Sequence, residues 1–195
     1  MEGAVIGARF SLYPMTDAFV PRILEALGAL DEAPLERDMD DLSTFVSGEE
    51  NALFCALEDV FGRAAASGEH VAMSLLLSRG CPGEPGEDRC DPRAAPSETP
   101  AARAAEGAEV ACQFSLYPMG TAAYMDAIYD QIKAARSRPG LRVTPQHFCT
   151  RLEGPLPQVF AELRRAFDAA AERTPHVVIH ATLAANSPSR RTAAG

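Results

Sequence analysis

The sequence predicts an α+β protein made of two tandem copies of one βαββαβ unit. Three observations carry this. The hexapeptide Phe10, Ser11, Leu12, Tyr13, Pro14, Met15 recurs in the same order as Phe114, Ser115, Leu116, Tyr117, Pro118, Met119, and a repeat of six different side chains marks a duplicated unit. The match then extends along both halves, with two extra residues in the second. Thr44 and Gly48 fall on Thr150 and Gly154, and His70 and Val71 on His176 and Val177. Finally, period-two and period-3.6 apolar patterns succeed each other in the same order in each half.

In the first copy, residues 5–13 alternate, with Ile6, Ala8, Phe10 and Leu12 on one face, and Pro14 is expected to stop that strand. Thr16 or Asp17 can cap a helix whose apolar stripe is Phe19, Ile23, Leu24, Leu27 and Leu30. Residues 31–34 break it. A hairpin is expected from residues 35–39 and 42–47. Glu49 and Glu50 suit the start of a second helix, with Leu53, Phe54, Leu57, Val60, Phe61 and Ala64 inward, and residues 70–78 form the last strand. In the second copy the strand is 110–117. Its helix carries Tyr124, Met125, Ile128 and Ile132. Residues 141–144 and 147–153 make the hairpin, Val159, Phe160, Leu163 and Phe167 mark the next helix, and 176–184 is the last strand. This order is the ferredoxin-like arrangement, a four-stranded antiparallel sheet covered by two helices. The expected division is 1–80 for the first unit, 81–107 for a Pro-, Gly- and Ala-rich linker, 108–186 for the second unit and 187–195 for a tail.

Composition excludes several function classes. The chain of 195 residues is 47% hydrophobic and carries a net charge of −9. A free duplex nucleic acid is not expected as a partner, because phosphate binding needs a basic surface, whereas a cationic small molecule would be tolerated. Five cysteines without a CxxC spacing indicate a reducing cytosol. No basic and apolar leader is present, and no apolar run is long enough to span a membrane, so a cytoplasmic protein without membrane insertion is expected.

Sheet faces single out the candidate site residues. Phe10, Leu12 and Thr44 should look toward the helices in the first copy, and Cys112, Phe114, Leu116 and Thr150 in the second. Thr44 and Thr150 are then hydroxyls on an apolar face, and a buried hydroxyl needs a partner. A ligand between sheet and helices would supply one; a neighbouring main-chain group would serve as well. The opposite face, with Arg9, Ser11, Tyr13, Phe45, Gln113, Ser115, Tyr117 and His180, is mixed and suits packing between the sheets of the two copies or of two subunits. Asp38, Asp40 and Asp41 read as a solvated charge run on the turn side. Cys112 reads as a small core residue. No metal-ligand spacing, nucleophile–base order or paired catalytic carboxylates can be argued, so no catalytic residue and no cofactor is expected.

Five stretches carry a resemblance: Arg-Phe-Ser-Leu-Tyr-Pro-Met-Thr-Asp at 9–17, Ser-Thr at 43–44, Gly-Cys-Pro-Gly at 80–83, Cys-Gln-Phe-Ser-Leu-Tyr-Pro-Met at 112–119 and Ala-Asn-Ser-Pro-Ser-Arg at 185–190. Together the chain resembles the YkoF family of bacterial thiamine- and hydroxymethylpyrimidine-binding proteins. The resemblance implies a tandem ferredoxin-like fold, a homodimer, one ligand pocket per copy, and a non-catalytic role in thiamine uptake or salvage. By motif, the thiamine-binding residues would be Leu12 and Thr44 in the first copy and Ala108, Cys112 and Thr150 in the second. The alternative is a regulatory or dimerisation module with no ligand.

Overall fold

The computed structural model describes residues 6–80, 107–122 and 124–189. Most of the expected linker and the end of the expected tail lie outside the described residues. Each half folds as β-α-β-β-α-β. The first has β1 (Ile6–Pro14), α1 (Phe19–Leu27), β2 (Glu36–Met39), β3 (Thr44–Ser47), α2 (Glu50–Ala66) and β4 (Val71–Arg79). The second has β5 (Glu109–Met119), α3 (Tyr124–Arg136), β6 (Arg142–Gln146), β7 (Cys149–Pro155), α4 (Leu156–Ala171) and β8 (His176–Ala185).

The two sheets are one. β4 pairs antiparallel with β8, and the eight strands run in the order β2-β3-β1-β4-β8-β5-β7-β6. Register fixes the layers. Val71, Met73, Leu75 and Leu77 lie opposite Ala185, Leu183, Ala181 and Ile179, and all eight are buried. Both halves therefore present their apolar face to the same side, where α2 meets α4 through an edge-on Phe54–Phe167 pair at 6.0 Å. Of the two packings expected for the mixed face, that between the sheets of the two copies is thus corrected. They join edge to edge, which removes two strand edges and leaves the mixed face open.

Side chains of both halves cross the seam. Arg79 at the end of β4 reaches Glu50 of α2 and, at 3.6 Å, Asp168 of α4, with its guanidinium 5.4 Å from the centre of the Phe167 ring. Arg164 of α4 donates to Asn51 of α2 at 2.7 Å. After β8, Asn186 takes a positive φ of 54° and its amide donates to the carbonyls of Ala65 and Glu69 at 2.8 and 3.0 Å, closing the C-terminal end of α2. Gly80 holds the matching place after β4, where a Cβ would collide with the Pro175 carbonyl.

Most elements fall where the pattern put them, with three corrections. Proline ends only one of the two first strands: β1 stops at Pro14, as expected, while β5 runs through Pro118 to Met119. The β5–β7 ladder stops at Phe114, so beyond it β5 has a ladder neighbour on one side only, and the missing amide is tolerated. Leu42 is not in β3; it is 78% exposed in a turn whose Leu42 and Ser43 amides both donate to the Asp40 carboxylate at 2.8 Å. The stripes of α1 and α3 are wider than their contact faces. Phe19 and Leu24, expected inward, are exposed, as are Tyr124 and Met125, while Ala26 and Ala135 are buried. The stripe of α2 is buried throughout. Glu49 caps that helix through a bond from the Ala52 amide at 2.8 Å.

Candidate functional site

The helix-side face of each sheet carries one threonine at the same register. Thr44 pairs with Phe10, and Thr150 with Phe114. Both are enclosed, 7% and 5% exposed, among otherwise apolar neighbours. Neither hydroxyl takes a hydrogen-bond partner among the described residues. Neither oxygen is among the buried, unbonded side-chain atoms of the described residues, so each hydroxyl keeps some accessible surface within its enclosed residue and can take a partner from outside the protein.

The other residues implied by the resemblance fall around these two unevenly. Leu12 is buried and stands two residues along β1 from Phe10, diagonal to Thr44. Cys112 is fully buried and diagonal to Thr150 from the opposite side, because it pairs with Leu152. The repeat counterpart of Leu12 is Leu116, and that of Cys112 is Ala8, so the two sets approach their threonines from different ends. Ala108 is half-buried just before β5, six residues from Phe114 and therefore about 20 Å from Thr150 along the strand. Its carbonyl accepts from the Leu156 amide at 2.8 Å, at the start of α4. Thr44 with Leu12, and Thr150 with Cys112, are brought together; Ala108 is not. Burial pushes the Cys112 thiol well above the ordinary thiol range, which leaves it neutral and unreactive. Among the described residues no cluster of His, Cys, Asp and Glu could hold a metal ion, and no helix is long and apolar enough to cross a membrane.

Sequence reasoning missed the bonds that tie β1 and β5 to the turns before the threonines. On the open face, the Ser11 hydroxyl donates to the Leu42 carbonyl at 2.7 Å, and the Ser115 hydroxyl donates to the Phe148 carbonyl at 2.8 Å. Arg9 donates to Asp40 at 3.1 Å and to the Ser43 hydroxyl at 2.8 Å. At the matching positions Gln113 donates to Gln146, and the Cys149 thiol lies 3.9 Å from the same Gln146 oxygen. Asp40 is exposed at the turn, as expected of that charge run, and its carboxylate also folds the turn. Bonds from the Leu42 and Ser43 amides, then from Arg9, hold its carboxyl below the usual range. The signal lay in the repeated serine itself, which the strand pattern alone could place on a face but not give a partner.

Fold and site define a tandem ferredoxin-like protein with one enclosed hydroxyl per repeat. The chain belongs to the YkoF-related family, whose model matches residues 5–84 and 109–190. It is 35% identical over 187 residues to the "Putative HMP/thiamine-binding protein YkoF" of Bacillus subtilis (strain 168), covering 96% of this chain and 93% of that one. Among solved structures, a domain of unknown function from Bacillus cereus is 20% identical, covers 45% of this chain and 81% of its own, and gives a TM-score of 0.35. A protein of Streptococcus pneumoniae is 18% identical over 38% of this chain and 83% of its own, also with a TM-score of 0.35.

Proposed function

We propose that the protein binds thiamine or its hydroxymethylpyrimidine precursor without transforming it, one molecule per repeat between sheet and helices, in thiamine uptake or salvage in the cytoplasm. The observation that carries this reading is the pair of enclosed threonine hydroxyls at one register, neither bonded by a described residue. An aminopyrimidine is flat, with donors and acceptors on its edge. It suits an apolar slot holding one or two placed polar atoms. The relative named for thiamine binding, at 35% identity over nearly the whole chain, supports the same ligand class. In the first repeat the slot is lined by Leu12 and Thr44, and in the second by Cys112 and Thr150, while Ala108 lies too far along the strand to touch the same ligand. The neutral Cys112 thiol serves as a small wall residue there, not a nucleophile.

A homodimer belongs to the same proposal. The open face carries Tyr13, Leu76 and Tyr117, all exposed, in a setting of Ser, Thr and Ala side chains, and two such faces can cover each other. Light scattering at micromolar concentration should return twice the chain mass; the mass of one chain would remove the dimer and leave the binding reading intact. The binding reading is tested by calorimetry with thiamine and hydroxymethylpyrimidine on the wild type, Thr44→Val and Thr150→Val. Each variant should lose one of two binding events. A wild-type chain that binds neither compound favours the regulatory module instead.

A further inference from the structure

The open face of the sheet holds two clamps, one per repeat, each ending beside a threonine of the helix side. In each clamp a serine of the repeated hexapeptide grips the carbonyl of the turn residue two positions before the threonine: Ser11 on Leu42, and Ser115 on Phe148. In each, the residue two before that serine bonds a side chain of the turn: Arg9 on Asp40 and Ser43, and Gln113 on Gln146. The turns are otherwise unlike. Asp40 folds the first by accepting the Leu42 and Ser43 amides, whereas the second places Phe148 at a positive φ of 66° with its side chain 99% exposed. A turn that differs in backbone yet keeps its serine in both copies points to a shared demand on the strand it feeds, and the residue shared there is the threonine, Thr44 or Thr150.

We propose that Ser11 with Arg9 and Asp40, and Ser115 with Gln113 and Gln146, are positioning residues for the ligand threonines, acting through the turn from the opposite face of the sheet. This rests on the binding reading above. A side-chain hydroxyl is aimed by its backbone, and β3 is only four residues long, next to a fully exposed edge strand, β2. With the turn released, the end of β3 that carries Thr44 is held only by its pairing with Phe10 of β1 and with Met39 of the exposed β2. The clamps also differ in kind. The first is an ion pair, with both side chains about half exposed; the second joins two neutral amides. Ionic strength should therefore loosen the first threonine and not the second.

The test is calorimetric titration of the full chain with thiamine, on a Thr150→Val background that isolates the first site and a Thr44→Val background that isolates the second. On the first background, Ser11→Ala and Arg9→Ala should each raise Kd about five- to tenfold, the equivalent of about one hydrogen bond. The double change Arg9→Gln with Asp40→Asn, which replaces the ion pair by two neutral amides and keeps an oxygen for the Leu42 and Ser43 amides, should restore Kd to within about twofold and abolish its salt dependence. On the second background the same first-repeat changes should leave Kd unaltered. The proposal is overturned if Ser11→Ala and Arg9→Ala leave Kd at the first site unchanged, or if they weaken both sites equally, which is the signature of general destabilisation. Loss of the proposed function looks different, because the unmodified chain would then bind no thiamine, and the positioning role would fall with it. Amide exchange at Thr44 reads the same role without ligand: it should quicken in Arg9→Ala and Ser11→Ala, and unchanged exchange overturns the proposal.

Discussion

Two threonines set the terms at the residue scale. Their side chains are isosteric with valine, so Thr44→Val and Thr150→Val remove a hydroxyl and leave the volume. Since no described residue bonds either hydroxyl, each change should leave the melting temperature unchanged or slightly raised; a fall of several degrees would mean that protein groups bond the hydroxyl after all. Asp40 makes a separate prediction. Its folded pKa is lowered by bonds that exist only in the folded turn, so its contribution is present above the unfolded value and is lost as pH falls through the folded one. As pH falls below about 4, the protection of the Leu42 and Ser43 amides against exchange should weaken, with Arg9 losing its partner. The Phe148 turn contains no carboxylate and should not respond. Cys112 has the opposite sign. Its proton is retained on folding, so folded stability is full below the ordinary thiol pKa and declines as alkaline pH ionises the thiol in the unfolded chain. In the native protein Cys112 should resist thiol reagents that label it after denaturation; fast native labelling would contradict its enclosure.

At the scale of elements, legibility tracks burial. The stripe of α2, with Leu53, Phe54, Leu57, Val60 and Phe61, was readable because every member is buried. The stripe of α1 was legible in part: Ile23, Leu27 and Leu30 pack on the core as expected, whereas Phe19 and Leu24 are exposed and the small Ala26 and Ala29, which periodicity weights little, are buried. Thr44 and Thr150 could be placed on the helix side by alternation alone. That Ala108 lies a long way along the strand from Thr150 needed the β5–β7 register, which no one-dimensional pattern contains. The clamps were illegible for a similar reason: Ser11 and Leu42 are far apart in sequence and meet only through strand pairing. Seam elements make a stability prediction. Asn186→Ala removes two bonds to the end of α2 and should cost about 1–2 kcal/mol by denaturant unfolding, whereas Phe54→Ala, which opens a cavity against Phe167, should cost about 3–5 kcal/mol.

The whole molecule is an internal pair. A duplicated half would ordinarily have an exposed β4 or β8 edge and a thin core; joining them covers both edges and adds the α2–α4 contact. Tandem repeats in the sequence announced two units but not how they meet, because the face that mattered was an edge of backbone, and backbone edges leave no composition signal. Since β4–β8 pairs along the full length of both strands, the halves should unfold together. A single denaturant transition, coincident by far-ultraviolet dichroism and tyrosine fluorescence, is expected; two separated transitions would show that the seam is weaker than the halves.

The claim on which the rest depends is that each repeat keeps a place for a flat heterocycle beside its threonine. Isothermal titration with thiamine of the unmodified chain, the two single valine variants and the Thr44→Val, Thr150→Val double variant tests it most directly. Two saturable events per chain are expected in the first, one in each single variant, and none in the double variant. Undiminished binding by the folded double variant would contradict the account.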